Sequence, residues 1–236
     1  MVSTGMRRYR VRTTTQASLV GDLGKTVLDP LALFGRTAPL RLEIGFGHGE
    51  FISQMAAAHP DEDFIGVEYD RLRVTKTAHK CNLVGVNNVR LYSGEAHTFV
   101  RDRLPSAAFQ RAYVLFPDPW PKPSHRRRRL MNRAFLLDLS HAIAPKGRLI
   151  IASDTHNYAF QALSNLTTLT GLWRNCYPNG YRFEIPTRFP TVFERHKKSE
   201  GCTICYLMME RTDVPAPARA PWPIVANLGD STVGQI

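Results

Sequence analysis

Five short apolar runs recur along the chain, each followed by a stretch of mixed polarity long enough for a helix. The runs are LRLEI (40–44), DFIGVE (63–68), NVRLYS (88–93), AYVLF (112–116) and GRLIIASD (147–154). They are continuous rather than alternating, the pattern of strands covered on both faces. The intervening segments GEFISQMAAAH, RLRVTKTAHKCNLVG, EAHTFVRDRL, RLMNRAFLLDLSHAI and HNYAFQALSNLTTL read as helices. Gly85 is placed to cap the second of them, and Pro145 to stop the fourth. Regular strand–helix alternation predicts an α/β fold, a mostly parallel sheet with helices on both faces. Two later runs, LWRNCY (172–177) and CTICYLMMER (202–211), have no helix predicted between them and are expected to pair antiparallel at one edge.

The ends of the chain lack this periodicity. Residues 1–27, including MRRYRVRTTTQ, are expected to form a basic flexible arm, and residues 212–236, rich in Pro and Ala, a poorly ordered tail. Residues 28–211 are then one catalytic-sized domain. Charge changes the picture more than composition does. The 236-residue chain carries 31 Lys+Arg against 20 Asp+Glu, a formal net charge of +11. A field of that sign gathers polyanions, and nucleic acid is the expected partner. A membrane surface is the competing class, but no basic amphipathic helix or apolar span stands out. The four cysteines (Cys81, Cys176, Cys202, Cys205) are expected as reduced thiols of a cytoplasmic protein. Cys202 and Cys205 read as lying on one strand, where residues three apart face opposite sides, so no metal is expected.

The candidate chemistry begins at LEIGFGHGEF. Gly45, Gly47 and Gly49 lie where the first strand gives way to a helix, and glycine there lets backbone approach a ligand. In an open parallel sheet, ligands bind beyond the carboxyl ends of the strands. The spacing is G-x-G-x-G, unlike the G-x-G-x-x-G of dinucleotide sites, and Glu43 just before it would repel a pyrophosphate. A cationic ligand without phosphate, such as S-adenosylmethionine, suits it better. Glu68 ends the second run, where a carboxylate accepts ribose hydroxyls. Glu95 follows the third run, placed to accept from an adenine amino group.

The segment FPDPWPKPSHRRRRL adds an acid between two prolines and then a basic block. Together with LEIGFGHGEF, GVE, SD and TVFER, it resembles the bacterial tRNA (guanine-N7)-methyltransferases, in order from about residue 40 to 211. The resemblance implies a Rossmann-like class I methyltransferase fold of seven strands, mostly parallel with the last strand antiparallel. It implies S-adenosylmethionine as methyl donor and a variable-loop guanine of tRNA as acceptor. The family's cofactor carboxylates fall on Glu43, Glu68 and Glu95, and its catalytic aspartate, which also borders the cofactor, on Asp118. Its RNA-contacting residues fall on Lys122 and on Ser124, His125, Arg126, Arg127, Arg128 and Arg129. Further substrate contacts fall on Asp154 and on Thr191, Phe193 and Glu194, expected in a loop before the last strand. Arg188, Arg195, Lys197 and Lys198 are expected to extend the positive surface. Glu95 stands where the family usually has Asp, and Ser124 where Arg is common.

Guanine N7 has a lone pair and no proton to lose, so no general base is required. Catalysis is expected to rest on in-line placement and on a carboxylate, Asp118, near the charge that develops on the base. Pro117 and Pro119 restrict the backbone that carries it. Trp120 is expected to pack beneath the loop. Other readings stay open beside that of a tRNA (guanine-N7)-methyltransferase: a divergent paralogue that methylates another RNA site or an exocyclic amine, and a non-catalytic RNA-binding module on the same fold. The intact glycine turn and Asp118 favour the enzyme. Monomer and homodimer stay open.

Overall fold

A computed structural model describes residues 26–185 and 189–219. The arm up to residue 25, Arg188 and the tail from residue 220 on lie outside the described residues. In chain order the elements are α1 (Pro30–Phe34), β1 (Leu40–Ile44), α2 (Glu50–Ala58), β2 (Asp63–Glu68), α3 (Arg71–Leu83), β3 (Val89–Ser93), α4 (Ala96–Arg103) and β4 (Phe109–Leu115). A 3-10 helix (Pro123–Arg128), α5 (Arg133–Ala142), β5 (Ile143–Ser153), α6 (His156–Thr168), β6 (Trp173–Asn175), α7 (Val192–Ser199) and β7 (Cys205–Arg211) complete them. The sheet has seven strands in the order β3-β2-β1-β4-β5-β7-β6. β1 to β5 are parallel; β7 runs antiparallel to both β5 and β6.

Every residue of β1 and β2 is buried, as their continuous apolar runs require. On one face, α4, α5 and α6 close the main core over Leu42, Ile65, Ala112, Val114, Leu149 and Leu207. On the other, α2 and α3 cover Phe64, Val89 and Leu91. That second face is less fully covered over β4, β5 and β7. A cavity of about 270 Å³ lies there, lined by Phe51, Tyr113, Ile150 and Met208 among others. Residues 212–219 continue from β7; Ala216 packs against the main core, and His141 of α5 hydrogen-bonds the Pro217 carbonyl oxygen at 2.9 Å.

Local signals end the elements as their chemistry predicts. Asp70 and Asn132 cap α3 and α5 by accepting from backbone N–H groups, and Gly85 takes φ +70 just past α3. Three expectations are corrected. α5 stops at Ala142, before Pro145, because the chain turns directly into β5 at Ile143. A helix, α7, does lie between the two late runs. Its sequence VFERHKKS is mostly charged, and its two large apolar residues, Val192 and Phe193, stay exposed. The last strand starts at Cys205, so Cys202 lies before it and the opposite-faces reasoning does not apply.

Candidate active site

The order β3-β2-β1-β4-β5 reverses direction between β1 and β4, which opens a crevice at their carboxyl ends. The register shows what borders it. Ile44 pairs with Val67 on one side and Val114 on the other, and Leu115 pairs with Ala152. Gly45, Glu68, Glu95, Asp118 and Asp154 therefore leave one rim of the sheet from five successive strands. Gly45 N–H still bonds Val67 O at 2.8 Å, Gly94 N–H bonds Glu68 O at 3.0 Å and Phe116 N–H bonds Ala152 O at 2.8 Å. The ladder thus carries the framework right up to the rim.

The glycine turn is held from three sides. The Glu68 carboxylate accepts from Gly47 N–H at 2.9 Å and from Asp70 N–H at 3.0 Å. Lys80 of α3 donates to His48 O at 2.7 Å and lies 3.5 Å from Glu50. Gly49, at φ +71, rests on the buried Thr77: a Cβ there would lie 2.1 Å from Thr77 Cγ2. Gly47, at φ +55, has nothing within 4 Å of where its Cβ would be. The same turn is packed on one side and open on the other, as a cradle must be. Lys80 and Thr77 belong to no motif and were not legible as site residues.

Glu43 is 3% exposed, and its Oε2 has no hydrogen-bond partner among the described residues. Burial, with repulsion from Glu50 and Glu68, pushes its carboxyl up to about 8. An orphaned buried acid beside an open glycine turn fits a ligand that brings a positive group. Glu95 is the N-cap of α4, accepting from His97 N–H at 2.9 Å and Thr98 N–H at 2.8 Å. Desolvation opposes its charge, but those N–H groups and the Thr98 hydroxyl outweigh it and hold the carboxyl below the usual range.

On the other side of the crevice, Asp118 is exposed in the loop after β4. Two left-handed non-glycine residues flank its prolines, Phe116 at φ +54 and Trp120 at φ +41. Trp120 is half-buried rather than packed under the loop; Arg128 lies over its ring at 4.9 Å, and His125 meets its edge at 5.7 Å. Lys122, Ser124, Arg126, Arg127 and Arg128 are exposed along the 3-10 helix and its start.

Arg129 departs from the expectation. It is 2% exposed and turns inward, where four oxygen acceptors and the Tyr158 ring take up its guanidinium. Thr191 and Glu194 depart too, because they start a helix rather than sit in a loop. Thr191 caps α7, its hydroxyl oxygen accepting from Glu194 N–H at 2.9 Å. Glu194 is 3% exposed and accepts from the Tyr206 hydroxyl at 2.5 Å and Lys198 Nζ at 2.8 Å. Its burial is the consequence of that docking. Lys197 is likewise engaged, 2.9 Å from Glu200. Phe193 stays 44% exposed, with its ring 5.0 Å from Phe116, which brings the start of α7 to the Asp118 loop. Arg195 is exposed and donates to Pro190 O at 2.6 Å.

A protein-family model described as "Putative methyltransferase" matches residues 37–205. The tRNA (guanine-N(7)-)-methyltransferase of Halorhodospira halophila is 38% identical over 175 residues, covering 74% of this chain and 76% of that protein. That of Marinobacter nauticus is 35% identical over 209 residues, covering 89% and 87%. Among solved structures, the 16S rRNA methyltransferase KamB superposes with TM-score 0.58 at 16% identity, covering 77% of this chain and 91% of that one. A 16S rRNA (adenine(1408)-N(1))-methyltransferase from Catenulisporales acidiphilia gives 0.55 at 18% identity, covering 80% and 93%. At such identities these two share the fold.

Proposed function

The chain belongs to the tRNA (guanine-N(7)-)-methyltransferase family, and on that premise we propose that it transfers a methyl group from S-adenosylmethionine to N7 of a variable-loop guanine in tRNA. The observation that carries this reading is the shared rim. The glycine turn and the Asp118 loop leave adjacent, hydrogen-bonded strands on the two sides of one crevice, and the basic 3-10 helix begins five residues after Asp118.

The donor supplies an electrophilic methyl on a sulfonium. Glu43 and the open side of Gly45 and Gly47 would receive its cationic end, consistent with the orphaned Oε2. Glu68 uses each carboxylate oxygen once on backbone N–H, and each retains a second lone pair for a ribose hydroxyl. Glu95 caps α4 with both oxygens; Oε2 accepts from both the Thr98 N–H and the Thr98 hydroxyl, so Oε1, which accepts from His97 N–H, is the oxygen that keeps a lone pair for an adenine amino group.

Asp118 accepts from guanine N1–H and the 2-amino group, which fixes the base with N7 toward the crevice. N7 attacks through its lone pair, so no residue has to take a proton. The base gains positive charge, and the fixed Asp118 carboxylate stabilises it more in the transition state than in the bound ground state. Lys122, Ser124, His125 and Arg126 to Arg128 hold phosphates, with Arg195 beyond them. Asp154, Thr191 and Phe193 border the place where the flipped base enters. No helix among the described residues is long and apolar enough to cross a membrane.

The test is to incubate the protein with a tRNA transcript and methyl-labelled donor and to map the modified base by mass spectrometry. Label at N7 of a variable-loop guanine is expected, and changing that guanine to adenine should abolish it. Label on an exocyclic nitrogen, or tRNA binding without label, would overturn the reading.

A further inference from the structure

We infer that Arg129, the last of the four consecutive arginines, is a positioning residue for the Asp118 loop and contacts no RNA. Its side chain lies inside the protein while Arg126, Arg127 and Arg128 face solvent. Nε donates to Pro119 O at 2.7 Å, and Nη2 reaches Trp120 O at 3.4 Å. Those are the carbonyls of the two residues that follow Asp118. Nη1 donates to Gln161 Oε1 and lies 3.4 Å from Asn157 Oδ1. Asn157 and Gln161 are one turn apart on α6, so they present two acceptors on the same face. Between them, Tyr158 places its ring 5.1 Å from the guanidinium carbon, while its hydroxyl oxygen accepts from Met131 N–H at 3.1 Å.

No carboxylate lies within ion-pair distance of Arg129 among the described residues. The guanidinium is satisfied by neutral oxygens and a π face. Such a cage suits a planar fork of fixed geometry and does not suit a lysine ammonium. A buried arginine without a carboxylate partner is costly, so it needs a structural return.

The backbone shows what that return is. Phe116 and Trp120 both occupy the left-handed region without being glycine. Residues in that conformation carry about 1–2 kcal/mol of strain each. Strain of this kind persists only where the surroundings over-determine it. At the Phe116 end the hydrogen bond to Ala152 O continues the sheet ladder. At the Trp120 end no backbone hydrogen bond joins residues 117–121 to the sheet among the described residues, and Arg129 supplies the anchor by tying two carbonyls to α6. The acid is thereby clamped between the sheet on one side and α6 on the other. One arginine of the block thus acts on catalysis through backbone geometry, while its three neighbours face the polyanion.

This inference deepens the function proposed above and rests on it for the role of Asp118. The test compares Arg129→Lys with Arg127→Ala, which removes an exposed member of the block. For each, kcat and KM for tRNA are measured from low to high salt. Quenching of Trp120 fluorescence by acrylamide is followed separately, with Trp120→Phe identifying its signal. Arg129→Lys should lower kcat at least tenfold, leave KM for tRNA within about twofold, and keep the wild-type slope of log affinity against log salt. It should also make Trp120 more accessible to the quencher. Arg127→Ala should raise KM and shallow the salt slope. If Arg129→Lys instead raises KM and shallows the slope while kcat and quenching hold, Arg129 is a phosphate contact and the inference is wrong. If Arg129→Lys does not fold, Gln161→Ala removes one arm of the cage. It should give a smaller kcat loss with an unchanged salt slope; unchanged kcat and quenching would overturn the inference. Should the wild-type protein methylate no tRNA, the proposed function falls, while the quenching of Trp120 still decides whether Arg129 braces the loop.

Discussion

Gly47 and Gly49 lie two residues apart in one turn, both at positive φ, yet the structure gives them different reasons to be glycine. Replacing either with alanine places a side chain in the left-handed region, which costs about 1–2 kcal/mol. At Gly47 the cost stops there, because the new methyl meets nothing within 4 Å. At Gly49 it would lie 2.1 Å from Thr77 Cγ2, 2.4 Å from Oγ1 and 2.8 Å from Cβ. Thr77 is fully buried on α3 and cannot turn aside, so an overpacking cost of about 1–3 kcal/mol is added. Gly49→Ala is therefore expected to lose about 2–5 kcal/mol of stability and Gly47→Ala about 1–2. Ligand binding should rank the other way per unit of folded protein, since the Gly47 methyl projects into the open side of the cradle. Urea melts give the first ranking, and calorimetric titration of folded protein with the methyl donor gives the second. Thr77→Ala in the Gly49→Ala background should recover part of the loss, the Cβ contact remaining. Equal stability losses for the two glycines would refute the reasoning. So would undiminished donor binding by Gly47→Ala.

Asp118→Asn keeps the shape of the exposed side chain and removes the charge. It should lower kcat by about 10²–10³, the usual scale for one electrostatic contact to a transition state, with stability within about 0.5 kcal/mol. Single-turnover rates on pre-bound tRNA check it, and a rate unchanged within threefold would remove Asp118 from the chemistry. Glu43, held to about 8 by burial and by Glu50 and Glu68, keeps a proton in the native state that the unfolded chain releases near pH ~4.3. Its contribution to stability is thus full below that pH, erodes as pH rises and is lost above about 8. Glu43→Gln should flatten this slope in urea melts run from pH 5 to about 9, and curves parallel to wild type would show that Glu43 does not titrate there. Tyr206→Phe deletes the hydroxyl that donates to the buried Glu194 carboxylate and should cost about 1–3 kcal/mol. A loss below about 0.5 kcal/mol in the same melts would mean that this bond does not hold α7 to β7.

The framework of this protein was legible in one dimension. β1 and β2 coincide with the runs at 40–44 and 63–68 because strands buried on both faces must be apolar throughout. The glycine turn and the proline-flanked acid were legible for a related reason. Each is a local chemical pattern, and strand ends of a parallel sheet fall on one rim whatever the packing details. α7 was missed although Thr191 and Glu194 have the Thr-x-x-Glu spacing of a helix N-cap, because a charged segment of eight residues with two large apolar side chains does not stand out from a loop. It is held by its Thr191 cap and by a bond from Glu194 to a strand residue twelve positions later. The same limit applies to the arginines. Four identical side chains in sequence give no hint which one faces inward. Asn157, Tyr158 and Gln161 decide it, and they reach Arg129 only once α6 has packed beside the loop. Composition and spacing set which chemistry gathers at the crevice. Which charges face the polyanion and which brace the backbone depends on contacts between residues distant in the chain, and these exist only in the folded molecule.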